Sequence, residues 1–229
     1  MFFNYALANQ FINVINPLPD DFGLIDYDIP NNYYEITDAV EAVDAEASVR
    51  FGMSKLVICS PKLGDAVLKV PFNGYYTEDG DWCSFCWASG SDNSDYCLTE
   101  YEKYQELKKR HLDCFVAKTF FYKTCCNKRF FIQEAVTAEA DLDEISIKQP
   151  SEKSFRIANS WYKSGELSIN PEWTASCIDY YGIAKVESFL DYCNNVDLDI
   201  LEDCHHSNYG YRRKSNTPAI LDYSNFTEG

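Results

Sequence analysis

Between Val49 and Phe72 the apolar residues are spaced as in β-strands. Lys55-Leu56-Val57-Ile58-Cys59 predicts one strand, Pro61-Lys62-Leu63-Gly64-Asp65 a turn, and Ala66-Val67-Leu68-Lys69-Val70 the next strand. A second pair is predicted at Cys114–Tyr122 and Lys128–Val136, with Cys125-Cys126-Asn127 between them. Thr99–Leu107 reads as a helix in which Thr99 and Glu102 have capping-box spacing. The interval 151–198 has helical periodicity, including Ile183–Leu190, and the acidic, Ala-rich Asp38–Ala47 predicts a short helix. A final hairpin is predicted from Tyr209–Arg212 and Ala219–Tyr223. Elsewhere, residues 1–45 mix short apolar pieces with turns at Pro17, Pro19, Pro30 and Asn31-Asn32. Residues 73–97 lack a clear period and read as a long loop, and the acidic 137–150 reads as a linker.

Helix and sheet segregate along the chain, so the class is α+β. The expected organisation is an N-terminal extension (1–47), a sheet-bearing lobe (48–136, with 73–97 as an insertion) and a mostly helical lobe (137–229). With 229 residues, 46% of them apolar and 16% aromatic, the chain is long enough to bury a substantial core. No apolar run approaches the roughly 20 residues that cross a bilayer. The N-terminus lacks the basic start of a signal peptide, so a soluble, cytoplasmic protein without a membrane partner is expected. In that compartment the ten cysteines are expected as reduced thiols, several of them inside apolar patterns. The formal charge of −16 argues against nucleic-acid binding, which needs Lys and Arg against phosphate, and is compatible with a basic protein partner.

Candidate chemistry concentrates near the end of the chain. Asp203 is followed five residues later by Asn208, and Asp222 ends the apolar run Ala219-Ile220-Leu221. This is the spacing of a catalytic loop and metal-binding strand in which the first Asp orients a hydroxyl, while the Asn and second Asp hold Mg²⁺ on ATP phosphates. Lys69 emerges from an otherwise apolar strand, as a phosphate-pairing Lys does. Upstream, Gly52, Ser54 and Lys55 lie where a nucleotide-covering loop belongs. Glu100, Glu102 and Glu106 all qualify by position to hold Lys69; Glu100 shares a helical stripe with Tyr104 and Leu107. Gln133 and Glu134 close a strand where backbone groups would read an adenine. His205, two residues after Asp203, suits a loop brace. Cys83 and Cys86 form one close pair suited to zinc, but Cys97 and Cys125-Cys126 do not supply a well-spaced second pair, so buried or incidental thiols are the expectation.

From about Ser48 to Phe226 the chain resembles the small protein kinases encoded by tailed bacteriophages, shortened members of the protein-kinase-like superfamily. The resemblance runs through Ser54-Lys55, Val67-Leu68-Lys69, Glu100-x3-Tyr104, Gln133-Glu134, Asp203-x-His205-x2-Asn208-x-Gly210 and Ile220-Leu221-Asp222. It implies a two-lobed fold with an antiparallel N-lobe sheet and a reduced, mostly helical C-lobe. It also implies ATP and Mg²⁺ as cofactors, and transfer of the γ-phosphoryl to Ser, Thr or Tyr of a host or phage protein, or of the chain itself. In this pattern Asp203 and Lys69 are the catalytic pair and Asn208 and Asp222 the metal ligands. The sequence departs from the family where Leu201-Glu202 replaces His-Arg before the catalytic Asp, and where Tyr223-Ser224 follows Asp222. The chain ends seven residues beyond Asp222, so no activation segment is expected. These departures keep two alternatives open: an inactive kinase-like module whose acidic surface binds and inhibits a host protein, and a small-molecule phosphotransferase using His205.

Overall fold

The computed structural model describes residues 2–17, 23–25, 29–30, 32–52, 54–72, 74–76, 79–84, 95–126, 128–144, 148–165, 167, 169–196, 199–202 and 204–223. The chain divides into two compact units. Unit 1 comprises Met1–Tyr101 and Thr119–Glu134; unit 2 comprises Glu102–Lys118 and Ala135–Asn225. The fold is α+β, as expected.

Unit 1 is built on a five-stranded antiparallel sheet. Its strands are β3 (Ser48–Phe51), β4 (Lys55–Cys59), β5 (Ala66–Pro71), β8 (Thr119–Cys125) and β9 (Lys128–Glu134), in the order β3-β4-β5-β9-β8. Period-two alternation gives the sheet two chemically different faces. Leu56, Ile58, Leu68, Val70, Phe130 and Ile132 lie in one buried core with helices α1 (Tyr5–Ile15) and α2 (Tyr33–Val43). Fully burying each large apolar side chain there contributes roughly 1.5–3 kcal/mol. The neighbouring positions Lys55, Lys69, Phe131 and Gln133 are also buried but belong to the opposite face. Above that face lies the start of α3 (Tyr96–Lys109).

α1 occupies a segment expected to hold only short pieces and turns. Its buried Leu7, Ala8, Phe11, Ile12 and Ile15 recur at helical spacing, and Asn4 caps it by accepting from the Leu7 amide at 3.2 Å. Its leading residues are tied to the β4–β5 connection by Asn4 N–H to Leu63 C=O (3.0 Å) and Asp65 N–H to Phe2 C=O (3.0 Å). Gly64 is required at that approach, because its φ is 92° and a Cβ would lie 2.6 Å from the Phe2 carbonyl oxygen. α2 starts and ends earlier than the predicted Asp38–Ala47. It stops at Val43 because Asp44 is extended and its buried carboxylate accepts from Ser60 Oγ (2.6 Å) and from Lys62 Nζ.

Residues 73–97 are not simply a loop. β6 (Gly74–Tyr76) and β7 (Trp82–Ser84) form an antiparallel pair there, and β6 runs parallel to β1 (Gly23–Ile25), which in turn pairs with β2 (Ile29–Pro30). The predicted Cys125-Cys126-Asn127 turn lies between paired strand ends, with Cys125 the last residue of β8 and paired to Lys128; Asn127 lies outside the described residues. The predicted strand Cys114–Tyr122 begins only at Thr119. Phe115 is instead in a 3₁₀ turn, Val116 bridges Ile220, and the Ala117 amide donates to Ile220 C=O at 2.7 Å, so this apolar run serves unit 2.

Unit 2 packs α4 (Glu152–Ser164), α5 (Pro171–Tyr181) and α6 (Ile183–Asn195) with an antiparallel sheet, β10 (Val136–Ala138), β11 (Tyr209–Arg212) and β12 (Pro218–Ile220). The short α7 (Asp199–Glu202) precedes β11. The expected linker therefore holds β10 and a 3₁₀ segment, Glu139–Glu144, and the predicted strand Lys128–Val136 is two strands of different sheets. The predicted final hairpin exists, but its second strand is Pro218–Ile220 rather than Ala219–Tyr223. Ser151 caps α4 by accepting from the Ser154 amide, while Asn170 caps α5, with Pro171 at its first position. Trp173 Nε1 donates to Gly210 C=O at 3.0 Å, and Phe115 stacks on Phe189 with centroids 4.4 Å apart. No described helix is long and apolar enough to cross a membrane.

Candidate functional site

The predicted site residues fall into one group in each unit. In unit 1, Lys69 of β5 and Glu100 of α3 form a buried ion pair. Lys69 Nζ donates to Glu100 Oε1 at 3.0 Å and Oε2 at 2.9 Å. Glu100 is fully buried and Lys69 is 3% exposed. Taking a carboxylate out of water costs several kcal/mol unless cations and hydrogen bonds replace the solvent. Lys69 supplies part of that replacement because its strand alternation points it away from Leu68 and Val70.

Of the three acidic candidates, Glu100 is the one that meets Lys69. The reason is the start of α3. Asp95, not Thr99, caps the helix: its Oδ1 accepts from the Leu98 amide at 2.9 Å, and Thr99 Oγ1 donates back to Asp95 C=O. Burial pushes the Asp95 carboxyl up, and Arg129 Nε lies 2.7 Å from it. In this register Cys97, Glu100, Tyr104 and Leu107 form the buried stripe. Glu102 is exposed, and Glu106 pairs with Arg110 and Lys109. Burial and the neighbouring Glu100 carboxylate hold the Cys97 thiol well above its ordinary pKa, which suits a packed thiol and not a nucleophile.

Two more predicted residues join this pair in unforeseen roles. Lys55 opens β4, as the strand pattern predicts, is 3% exposed, and donates from Nζ to Glu100 Oε1 at 2.6 Å. Gln133 was placed for its backbone, yet its side chain is buried and donates from Nε2 to Glu100 Oε2 (3.2 Å) and Thr119 Oγ1 (2.9 Å). Lys55 and Gln133 reach Glu100 through the register of β4, β5 and β9, which places Lys55, Lys69 and Gln133 on one face. Gly52 and Ser54 lie in the β3–β4 turn, with the Gly52 amide donating to Lys55 C=O and Ser54 C=O accepting from Phe72. Glu134 ends β9 opposite Ala66.

In unit 2 the predicted metal ligands are joined through their backbones. Asn208 C=O accepts from the Leu221 amide at 2.8 Å and the Asp222 amide at 3.3 Å. Asp222 stands between anchored neighbours. Ile220 is fully buried and bridged to Val116, while Tyr223 is fully buried with its hydroxyl donating to Ala117 C=O at 2.8 Å. Asn208 is itself 8% exposed and donates its amide to His205 C=O at 2.8 Å. His205 braces the loop: its Nδ1 accepts from the Ser207 amide at 3.2 Å. Gly210, two residues on, is needed for strand approach, because a Cβ there would lie 1.8 Å from Thr137 C=O. The carboxylate and amide oxygens of Asp222 and Asn208 are hard donors that suit Mg²⁺.

Asp203 lies outside the described residues, as does Cys86 and the Cys83 side chain, on which the zinc alternative rests. Among the described residues no group of three or more His, Cys, Asp or Glu is placed to hold a metal.

No family model matches the sequence, and no curated protein matches it. Among solved structures the fold is similar to an aminoglycoside phosphotransferase from Streptomyces rimosus, with a TM-score of 0.34 and 9% identity over 84% of this chain and 76% of that one. A likeness this slight supports no conclusion about this chain.

Proposed function

We propose that the chain is a kinase-like, ATP- and Mg²⁺-dependent phosphotransferase of the small phage protein-kinase type, acting on a Ser, Thr or Tyr hydroxyl of a protein. The observation that carries this reading is the buried Lys69–Glu100 pair, joining the middle strand of a five-stranded antiparallel sheet to the following helix. Phosphoryl transfer asks a protein mainly for positioning and charge neutralisation. An ammonium held rigidly by a carboxylate meets the first need for the ATP phosphates. Asn208 and Asp222, coupled through one carbonyl, offer oxygen ligands for the second. The two sets have complementary chemistry, one cationic and one metal-binding, which are the two kinds of group that ATP·Mg²⁺ needs. Asp203 is the residue assigned to orient the acceptor hydroxyl.

The test is calorimetric titration with ATP and Mg²⁺, followed by incubation with γ-labelled ATP and candidate protein acceptors. The expected result is metal-dependent binding that is weakened in Lys69→Met and loses its metal dependence in Asp222→Ala, and label transfer that is lost in Asp203→Ala. Failure of the folded wild-type chain to bind ATP would sink the reading. Binding without transfer to any acceptor would point to the inactive, partner-binding module instead.

A further inference from the structure

We infer that Lys55 is a positioning residue for the nucleotide site: it is the cation that keeps Glu100 ionised and in place while Lys69 serves the phosphates. This rests on the phosphotransferase reading and deepens it.

The geometry is a shared carboxylate. Lys55 reaches Glu100 Oε1 at 2.6 Å from the start of β4, and Lys69 reaches both Glu100 oxygens from β5. Gln133 Nε2 supports Oε2 from β9, and is itself held by Thr119 of β8. Glu100 is therefore gripped from four consecutive strands of the sheet, β4, β5, β9 and β8, the last through Gln133. All three charged groups are at most 3% exposed, where solvent screens them little.

The chemistry follows from the division of labour this allows. A Lys that binds both oxygens of a buried carboxylate gives up favourable energy if it turns toward a phosphate. The carboxylate would then carry uncompensated charge, which favours protonation of Glu100 and slackens α3. A second ammonium on Oε1 removes that penalty. It leaves Lys69 able to shift charge toward an incoming phosphate without stranding Glu100.

The experiment compares wild type, Lys55→Arg, Lys55→Met and the double variant Lys55→Met/Lys69→Met. ATP·Mg²⁺ affinity is measured by calorimetry, and amide hydrogen exchange of α3 is measured without nucleotide. Loss of one charge-assisted contact predicts that Lys55→Met weakens ATP binding about tenfold or more. Lys55→Arg should restore most of it, and the double variant should lose less than the two single losses combined, since both act on Glu100. Protection of the α3 amides around Glu100 should fall in Lys55→Met and return in Lys55→Arg. Unchanged affinity in a folded Lys55→Met, or strict additivity with Lys69→Met, overturns the inference. If the wild type binds no ATP, the phosphotransferase reading fails and Lys55's part in nucleotide binding fails with it. The exchange data then show separately whether Lys55 holds Glu100: unchanged α3 protection refutes that as well.

Discussion

Replacing Glu100 with Gln keeps the shape of the side chain and removes its charge. The fully buried carboxylate accepts from Lys55 at 2.6 Å, from Lys69 at 2.9 and 3.0 Å, and from Gln133 at 3.2 Å. A neutral amide would place its own N–H₂ against at least one of these donors. Removing one partner of a buried ion pair typically costs about 3–5 kcal/mol, and here two ammonium groups lose the same partner. Set against a total stability of about 5–15 kcal/mol, that is a large fraction. Lys69→Met should cost less, about 1–3 kcal/mol, because Lys55 and Gln133 still satisfy Glu100. The assay is urea unfolding followed by hydrogen exchange of β5 and β9 amides, which reports on unit 1 directly. With a slope of about 1–3 kcal/mol per molar urea, the Glu100→Gln midpoint should fall by at least about 1 M. If Glu100→Gln costs no more than Lys69→Met, or both stay within about 0.5 kcal/mol of wild type, the triad is solvated and the electrostatic reasoning is wrong.

Asp222→Ala and Asn208→Ala keep the backbone bonds from the Leu221 and Asp222 amides to Asn208 C=O available and should abolish the Mg²⁺ dependence of ATP binding, read by titration with and without metal. Gly210→Ala should cost about 3 kcal/mol or more, since the new methyl would sit 1.8 Å from a backbone oxygen, whereas Gly52→Ala, with nothing within 4 Å, should stay within about 0.5 kcal/mol in the same urea assay. For pH, the hydrogen bond from Lys62 and then that from Ser60 hold Asp44 below the usual carboxylate range, and Arg110 and then Lys109 do the same for Glu106. A depressed folded pKa adds stability that is present above about pH 4 and lost as pH falls through the folded values, so urea midpoints should drop between about pH 5 and about pH 3. Asp95, raised by burial, acts in the opposite sense, and Asp95→Asn should steepen that drop.

Strand identity was legible where side-chain alternation coincided with sheet pairing. β4 and β5 fall on the predicted residues to within one position because Leu56, Ile58, Leu68 and Val70 alternate with chemically different neighbours. Legibility failed where one apolar run served two cores. Phe115, Val116 and Ala117 continue smoothly into Thr119 and Phe120, yet the first three pack in unit 2 and the strand starts after them. The same holds at Ala135, where the run from Lys128 passes from β9 to β10 without a turn residue to mark the change. α1 was missed although Leu7, Ala8, Phe11, Ile12 and Ile15 follow a helical period; the prolines and asparagines beyond it drew the reading toward turns.

The two candidate groups differ in how they are held, and this explains which roles could be read from sequence. Lys69 and Glu100 are held by their own charged groups, so residue type and helix stripe brought Glu100 among three candidates for Lys69, and the start of α3 at Asp95 selects it. Lys55 and Gln133 act on the same carboxylate, but their part depends on register across β4, β5 and β9, which no local pattern encodes. The backbones of Asn208 and Asp222 are joined by main-chain contacts, beside the anchored Ile220 and Tyr223. Substitutions at Asn208 and Asp222 leave their shared main-chain bonds available, whereas any change at Glu100 alters the charged network that ties β4, β5 and β9 to α3.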